Sequence, residues 1–176
     1  MLAAVILAAH CFAQSQPPQP PPPTTLRGVL LEQLHTTHDN KDWFVPANVA
    51  VQGLTAQQAS WSPGKGSHSV GQLAYHLVFW NQRELEKFKG ETSKKFSGDN
   101  DETFDSFDAK QWSDLVAKLD QVMKDWEQAV QNADDQKLAA NASLIAHIGT
   151  HNAYHTGQII YVRKLQGSWN PENGVK

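Results

Sequence analysis

Apolar residues recur along this chain at intervals of three and four, and four stretches sustain the pattern long enough to predict helices. Leu26, Val29, Leu30 and Leu34 open the first, with Thr24 or Thr25 placed to cap it. Pro46 interrupts the spacing near Trp43 and Phe44, so a kink or break is expected before residues 47–53. A connection rich in turn residues follows over 54–68. Ser69 with Gln72 three residues on has the form of a capping box, and Leu73, His76, Leu77, Trp80 and Phe88 then mark one face as far as Gly90, a C-terminal stop. Residues 91–108 are polar and acidic, a long loop with Phe96, Phe104 and Phe107 as anchors. Asp108 and Gln111 again fit a capping box. The third helix behind them carries Trp112, Leu115, Val116, Leu119, Val122, Met123, Trp126 and Val130, core spacing with no chemistry in it. The fourth is expected from about Asn141 to Gln166, stopped by Gly167 and followed by a turn at 170–174. No stretch alternates as a strand would, so the pattern predicts an all-α domain, a four-helix bundle with one long crossover or loop.

The polar residues that break the apolar faces are histidines. His147, His151 and His155 stand four apart on the fourth helix, where neighbours in such a row have Cβ atoms about 5–6 Å apart. Leu144, Ile148, Ile159 and Val162 form the apolar stripe, and His151 and His155 fill its gaps, so both point at the core. His76 does the same between Leu73 and Trp80. Buried imidazoles are costly unless their lone pairs are accepted, and a divalent metal shared by facing helices accepts them. A set of hydrogen-bonded structural histidines satisfies the same spacing. His147 lies eight residues from His155, about 12 Å along a helix axis, which puts it behind the ligands or at the rim. His35 and His38 have no partner in an apolar row and read as solvent-facing. Gln72, Gln158 and Tyr154 lie on or beside the ligand faces and are candidates to orient imidazoles or bind substrate. Glu84 is two turns from His76, too far for a general base, and with Tyr75 reads as surface or packing.

Composition narrows the chemistry. Residues 1–13, ending Ala9-His10-Cys11-Phe12-Ala13, read as the apolar core and cleavage region of a signal peptide whose basic start is missing, which implies export to the periplasm or the exterior. Cleavage there removes the only cysteine, leaving nitrogen and oxygen as metal donors and no thiol nucleophile. Residues 14–25 form a proline-rich linker, and 170–176 a tail. No later stretch approaches the ~18 apolar residues of a membrane span. The net charge of −3 with no basic block gives no footprint for nucleic acid. Three neutral imidazoles with an open fourth position are a recurrent catalytic zinc arrangement, and nickel, cobalt, iron and copper also accept nitrogen.

The run His68-Ser-Val-Gly-Gln-Leu-Ala-Tyr-His76-Leu-Val-Phe-Trp80, followed much later by His151-Asn-Ala-Tyr-His155-Thr-Gly-Gln-Ile159 and Arg163, resembles the DinB-like superfamily. Gly53-Leu-Thr-Ala-Gln-Gln-Ala-Ser-Trp-Ser-Pro63 resembles that family's connector between its first two helices, and the similarity extends over residues 26–169. The resemblance implies an up-down-down-up four-helix bundle that binds a divalent metal through one histidine on the second helix and two on the fourth. Matched position by position, these are His76, His151 and His155. Zinc or nickel comes first, with iron, cobalt, manganese or copper admissible. The family includes metal-dependent hydrolases and enzymes that transfer low-molecular-weight thiols such as bacillithiol or mycothiol, and many members are homodimers. An export signal departs from that pattern and sits poorly with a cytosolic thiol. The leading expectation is an exported metal-dependent hydrolase or thiol transferase acting on a small molecule. The alternative is a non-catalytic metal-binding or protein-interaction bundle.

Overall fold

The computed structural model describes residues 21–92, 95–105 and 107–175, and the expected signal peptide lies outside them. The described residues are all-helical, with no strand. Helix α1 spans Leu26–His38, and Thr25 caps it by accepting from the Gly28 N–H at 3.1 Å. The chain breaks after His38 and restarts behind Pro46 as the short α2, Ala47–Val51. The connection rich in turn residues contains α3, Ala56–Ser60, opened by a complete capping box between Thr55 and Gln58. Here Thr-x-x-Gln was a start signal hidden among turn residues.

Helix α4, Val70–Lys89, starts on the predicted box. Gln72 N–H donates to Ser69 Oγ at 3.2 Å, and Ser69 N–H donates to Gln72 Oε1 at 2.9 Å. It ends at Gly90, whose φ of 81° suits a residue without Cβ. The acidic loop contains one helical turn, α5, Glu102–Asp105. Asp108 caps a 3₁₀ turn at Ala109–Gln111 through the Lys110 N–H at 3.0 Å, and α6 follows as Trp112–Asn132. Helix α7 spans Asp135–Gln166, six residues longer at its start than expected. Asp134, accepting from Lys137 N–H at 2.7 Å, is its N-cap, so what reads as an acidic turn is the helix start, and Leu138 is already core.

Of the long helices, α1 packs beside α6 and α7, and α4 packs beside the same two. The shared core is aliphatic, with Leu34, Leu73, Leu77, Leu119, Ile145 and Ile159 buried, each worth about 1.5–3 kcal/mol relative to exposure. Trp126 is its largest member, and its indole N–H donates to Asn81 O at 3.0 Å. No helix of the described residues is long and apolar enough to cross a membrane.

His38 corrects the solvent-facing reading. It is 1% exposed, with Nδ1 2.7 Å from Glu127 Oε1 and Nε2 3.0 Å from Asp120 Oδ1. Its partners sit on α6, more than 80 residues away, so spacing within α1 carried no sign of them. Burial alone would lower its pKa, but the two carboxylates outweigh that and raise it. Asp120 is held at about 2: desolvation pushes it up, and bonds from Lys124, His38 and Asn48 pull it down further. His35 is half-exposed, with Nδ1 3.2 Å from the same Glu127 oxygen.

Candidate metal centre

His76 lies in the second turn of α4, and His151 and His155 lie one turn apart on α7. The contact of these helices brings one ring nitrogen of each histidine within 4.8 Å of the others. His76 Nε2 and His151 Nε2 are 3.1 Å apart. Two imidazole nitrogens sharing a tetrahedral cation, with bonds of about 2.0–2.1 Å, stand about 3.3 Å apart, so this pair is spaced as two donors to one transition-metal ion would be. The ring centroids lie 5.1 Å (His76–His151), 4.6 Å (His76–His155) and 4.5 Å (His151–His155) apart. His76 is 2% and His155 7% exposed, while His151 is half-buried and opens the cluster toward solvent.

The outer nitrogens are tied in a way that decides the inner ones. Thr103 Oγ1 donates its single proton to Asn100 O at 2.6 Å, so at 2.6 Å from His76 Nδ1 it accepts. His76 Nδ1 therefore carries hydrogen, and its Nε2 lone pair faces the other histidines. Gln158 Oε1 lies 2.6 Å from His155 Nδ1 and fixes that ring the same way, while Gln158 Nε2 donates to Tyr154 Oη at 3.2 Å. Neutral imidazoles are what a cation needs, and the surroundings keep them so. Desolvation first, then repulsion from His155, His151 and His68, lowers His76 to about 3. Desolvation, then His155, lowers His151 to about 4. His155 is also lowered, by burial, against the opposing bond from Gln158.

The acidic loop closes one side of the cluster. Phe104 lies between His76 and His68, with centroids 4.0 and 3.9 Å away and interplanar angles of 6° and 10°. Trp80 Nε1 donates to Asn100 Oδ1 at 3.2 Å, securing the same turn from α4. Phe107 rests on Gly71 so closely that a Cβ there would collide with its ring. Beneath the histidines Asn81 Nδ2 donates to Asn152 Oδ1 at 2.7 Å, joining α4 to α7 through buried amides. Thr103 and the Asn81–Asn152 pair escaped the sequence reading, since single threonines and asparagines carry no periodic signal; Phe104 was legible only as an anchor.

Other candidates fall elsewhere. Gln72 is engaged in the α4 capping box, and Glu84 is paired with Lys87 at 2.5 Å. His147 is exposed, outside the three-histidine group. Tyr75 lines a cavity of about 540 Å³ between α4 and α6, whose lining includes none of the three histidines. Arg163 is buried at the far end of α7, donating to Ala50 O at 2.6 Å and Ser168 O at 2.9 Å, and it anchors the connector rather than the centre.

These features define an all-α protein with a tri-histidine group suited to a metal ion. The profile of the DinB superfamily matches residues 47–159, so the chain belongs to that superfamily. Comparison with curated proteins and with solved structures gives no match.

Proposed function

We propose that this protein binds one divalent cation through His76, His151 and His155 and uses it in hydrolysis or thiol transfer on a small molecule. The single observation that supports the reading is the convergence of three neutral imidazoles, two of which, His76 and His155, have their outer nitrogens engaged by Thr103 and Gln158. Zinc or nickel suits an all-nitrogen donor set best. When bound, such a cation supplies Lewis acidity to a substrate oxygen or a docking point for a thiolate. The chain supplies the rest. Thr103 and Gln158 hold two rings in one tautomer, Phe104 shields His76 from water, and Tyr154, 62% exposed, offers a hydroxyl at the open edge.

We further read residues 26–169 as one bundle in up-down-down-up order. Arg27 meets Val130 while His38 meets Asp120, so α1 runs against α6. Phe88 meets Lys137 while His76 meets His151, so α4 runs against α7. Tyr75 and Gln111 line one end of the α4–α6 cavity, and farther along Phe88 meets Trp126, so that pair runs parallel. Export remains part of the proposal, as does a homodimer, for which Tyr154, Tyr161 and Leu165 form an exposed stripe on α7.

The test is elemental analysis of metal-loaded protein, with a panel of esters, amides and thiol acceptors. One tightly held equivalent per chain that survives desalting, lost in His151→Ala/His155→Ala together with turnover, is the expected result. The same tightly held equivalent in that variant after desalting would falsify the site. One equivalent with no turnover supports the non-catalytic metal-binding alternative.

A further inference from the structure

We propose a second divalent-cation site at the α1–α6 contact, formed by His35 Nδ1 and the carboxylates of Asp39 and Glu127. One ligand atom from each lies within 4.8 Å of the other two, and His35 Nδ1 is 3.2 Å from Glu127 Oε1. None of the three helps to form the tri-histidine group, which belongs to α4 and α7. His35 and Asp39 are one turn apart, at the end of α1 and its C-cap, so the helix itself sets their spacing. Glu127 comes from the facing helix.

The carboxylate that α6 contributes is held rigidly from behind. His38, 1% exposed, reaches Glu127 Oε1 with Nδ1 at 2.7 Å and Asp120 Oδ1 with Nε2 at 3.0 Å. Asp120 is fixed in turn by Asn48 at 2.6 Å and Lys124 at 2.5 Å. A structural ion pair would be complete with His38 between its two carboxylates. His35 and Asp39 add donors on the solvent side of Glu127, with side chains 46% and 53% exposed, where waters can fill the remaining coordination positions. One imidazole with two carboxylates is a harder donor set than three imidazoles. It suits zinc or manganese and gives up the preference for nickel and copper.

Calorimetric titration of the full chain, free of any affinity tag, with zinc chloride tests this. His151→Ala/His155→Ala is expected to retain one weaker zinc equivalent, and His35→Ala on that background is expected to weaken it at least about tenfold. His35 is half-exposed, so this variant folds where Glu127→Gln, which strips His38 of a partner, risks instability; circular dichroism checks both. In the otherwise native chain His35→Ala leaves the tight equivalent in place. The proposal is overturned if the double variant takes up no zinc, or if its zinc equivalent survives His35→Ala at the same affinity. Because the residues are disjoint, this proposal and the tri-histidine reading fail separately.

Discussion

His76 and His38 are both almost fully buried, at 2% and 1% exposure, and their neighbours drive them to opposite protonation states. His76 faces two other imidazoles, a threonine hydroxyl and a phenylalanine ring, none of which repays a positive charge lost from water. His38 has a carboxylate at each ring nitrogen and holds its proton. Burial is common to both, and the partner decides its outcome. A buried histidine is a lone-pair donor or a fixed cation according to residues that its own helix does not supply.

The largest effect expected is on metal affinity at the first of these sites. His151→Ala/His155→Ala removes two of three donors, and a loss of more than about a thousandfold in zinc affinity is predicted by competition with a chelating dye, since even outer partners of metal ligands contribute 10–100-fold. Retention of native affinity would erase the contrast, leaving two kinds of structural histidine.

At the other site the expected effect is on folding. His38→Ala leaves Glu127 and Asp120 facing each other without their shared cation, and a loss of about 3 kcal/mol is predicted in urea unfolding. A variant as stable as the native chain would show that the α1–α6 contact does not need the imidazolium.

A smaller change separates orientation from ligation. Thr103→Val removes the acceptor at His76 Nδ1 while keeping the shape, and is expected to weaken zinc about tenfold, with Thr103→Ser restoring it. Equal affinity in Thr103→Val would mean that the loop only covers the site.

The most graded signature is the pH dependence of metal-free stability. His76 and His151 have folded pKa values of about 3 and 4, below the ordinary 6.5. The unfolded chain therefore binds more protons in that interval, and stability falls as pH drops from 6.5 toward 4. His38 is raised, so its contribution is complete below 6.5 and lost as pH rises through its folded value. Each limb has a limiting slope of about 1.4 kcal/mol per pH unit per proton. Thermal melts across pH should show His76→Phe reducing the acid limb, to which His151 also contributes, and His38→Leu flattening the alkaline one; a limb left unchanged in its own variant has been assigned to the wrong residue.

Much of this was legible from residue patterns, and the exceptions share one cause. Ser69, Gln72 and Gly90 marked both ends of α4, and the apolar faces marked which side of α4 and α7 turns inward, carrying His76, His151 and His155 with it. Signals that are local in sequence survive without coordinates. Thr103 and Glu127 matter only because the fold brings them to a histidine, the first from a loop and the second from a neighbouring helix, so periodicity was silent on both. Helix α3 and the early start of α7 were local, yet Thr55 and Asp134 sat among turn-forming residues that masked them as caps.

The hydroxyl that fixes His76 belongs to a connection about twenty residues long, pinned at Trp80, at Gly71, by Phe96 against Phe79 and by Phe104 stacked between His68 and His76. By thermodynamic reciprocity, whatever tightens the ion must also tighten that segment. Sites of proteolytic nicking between α4 and α6 would thus become slower to cut as the cation loads, making the connection a gauge of occupancy that needs no knowledge of the substrate.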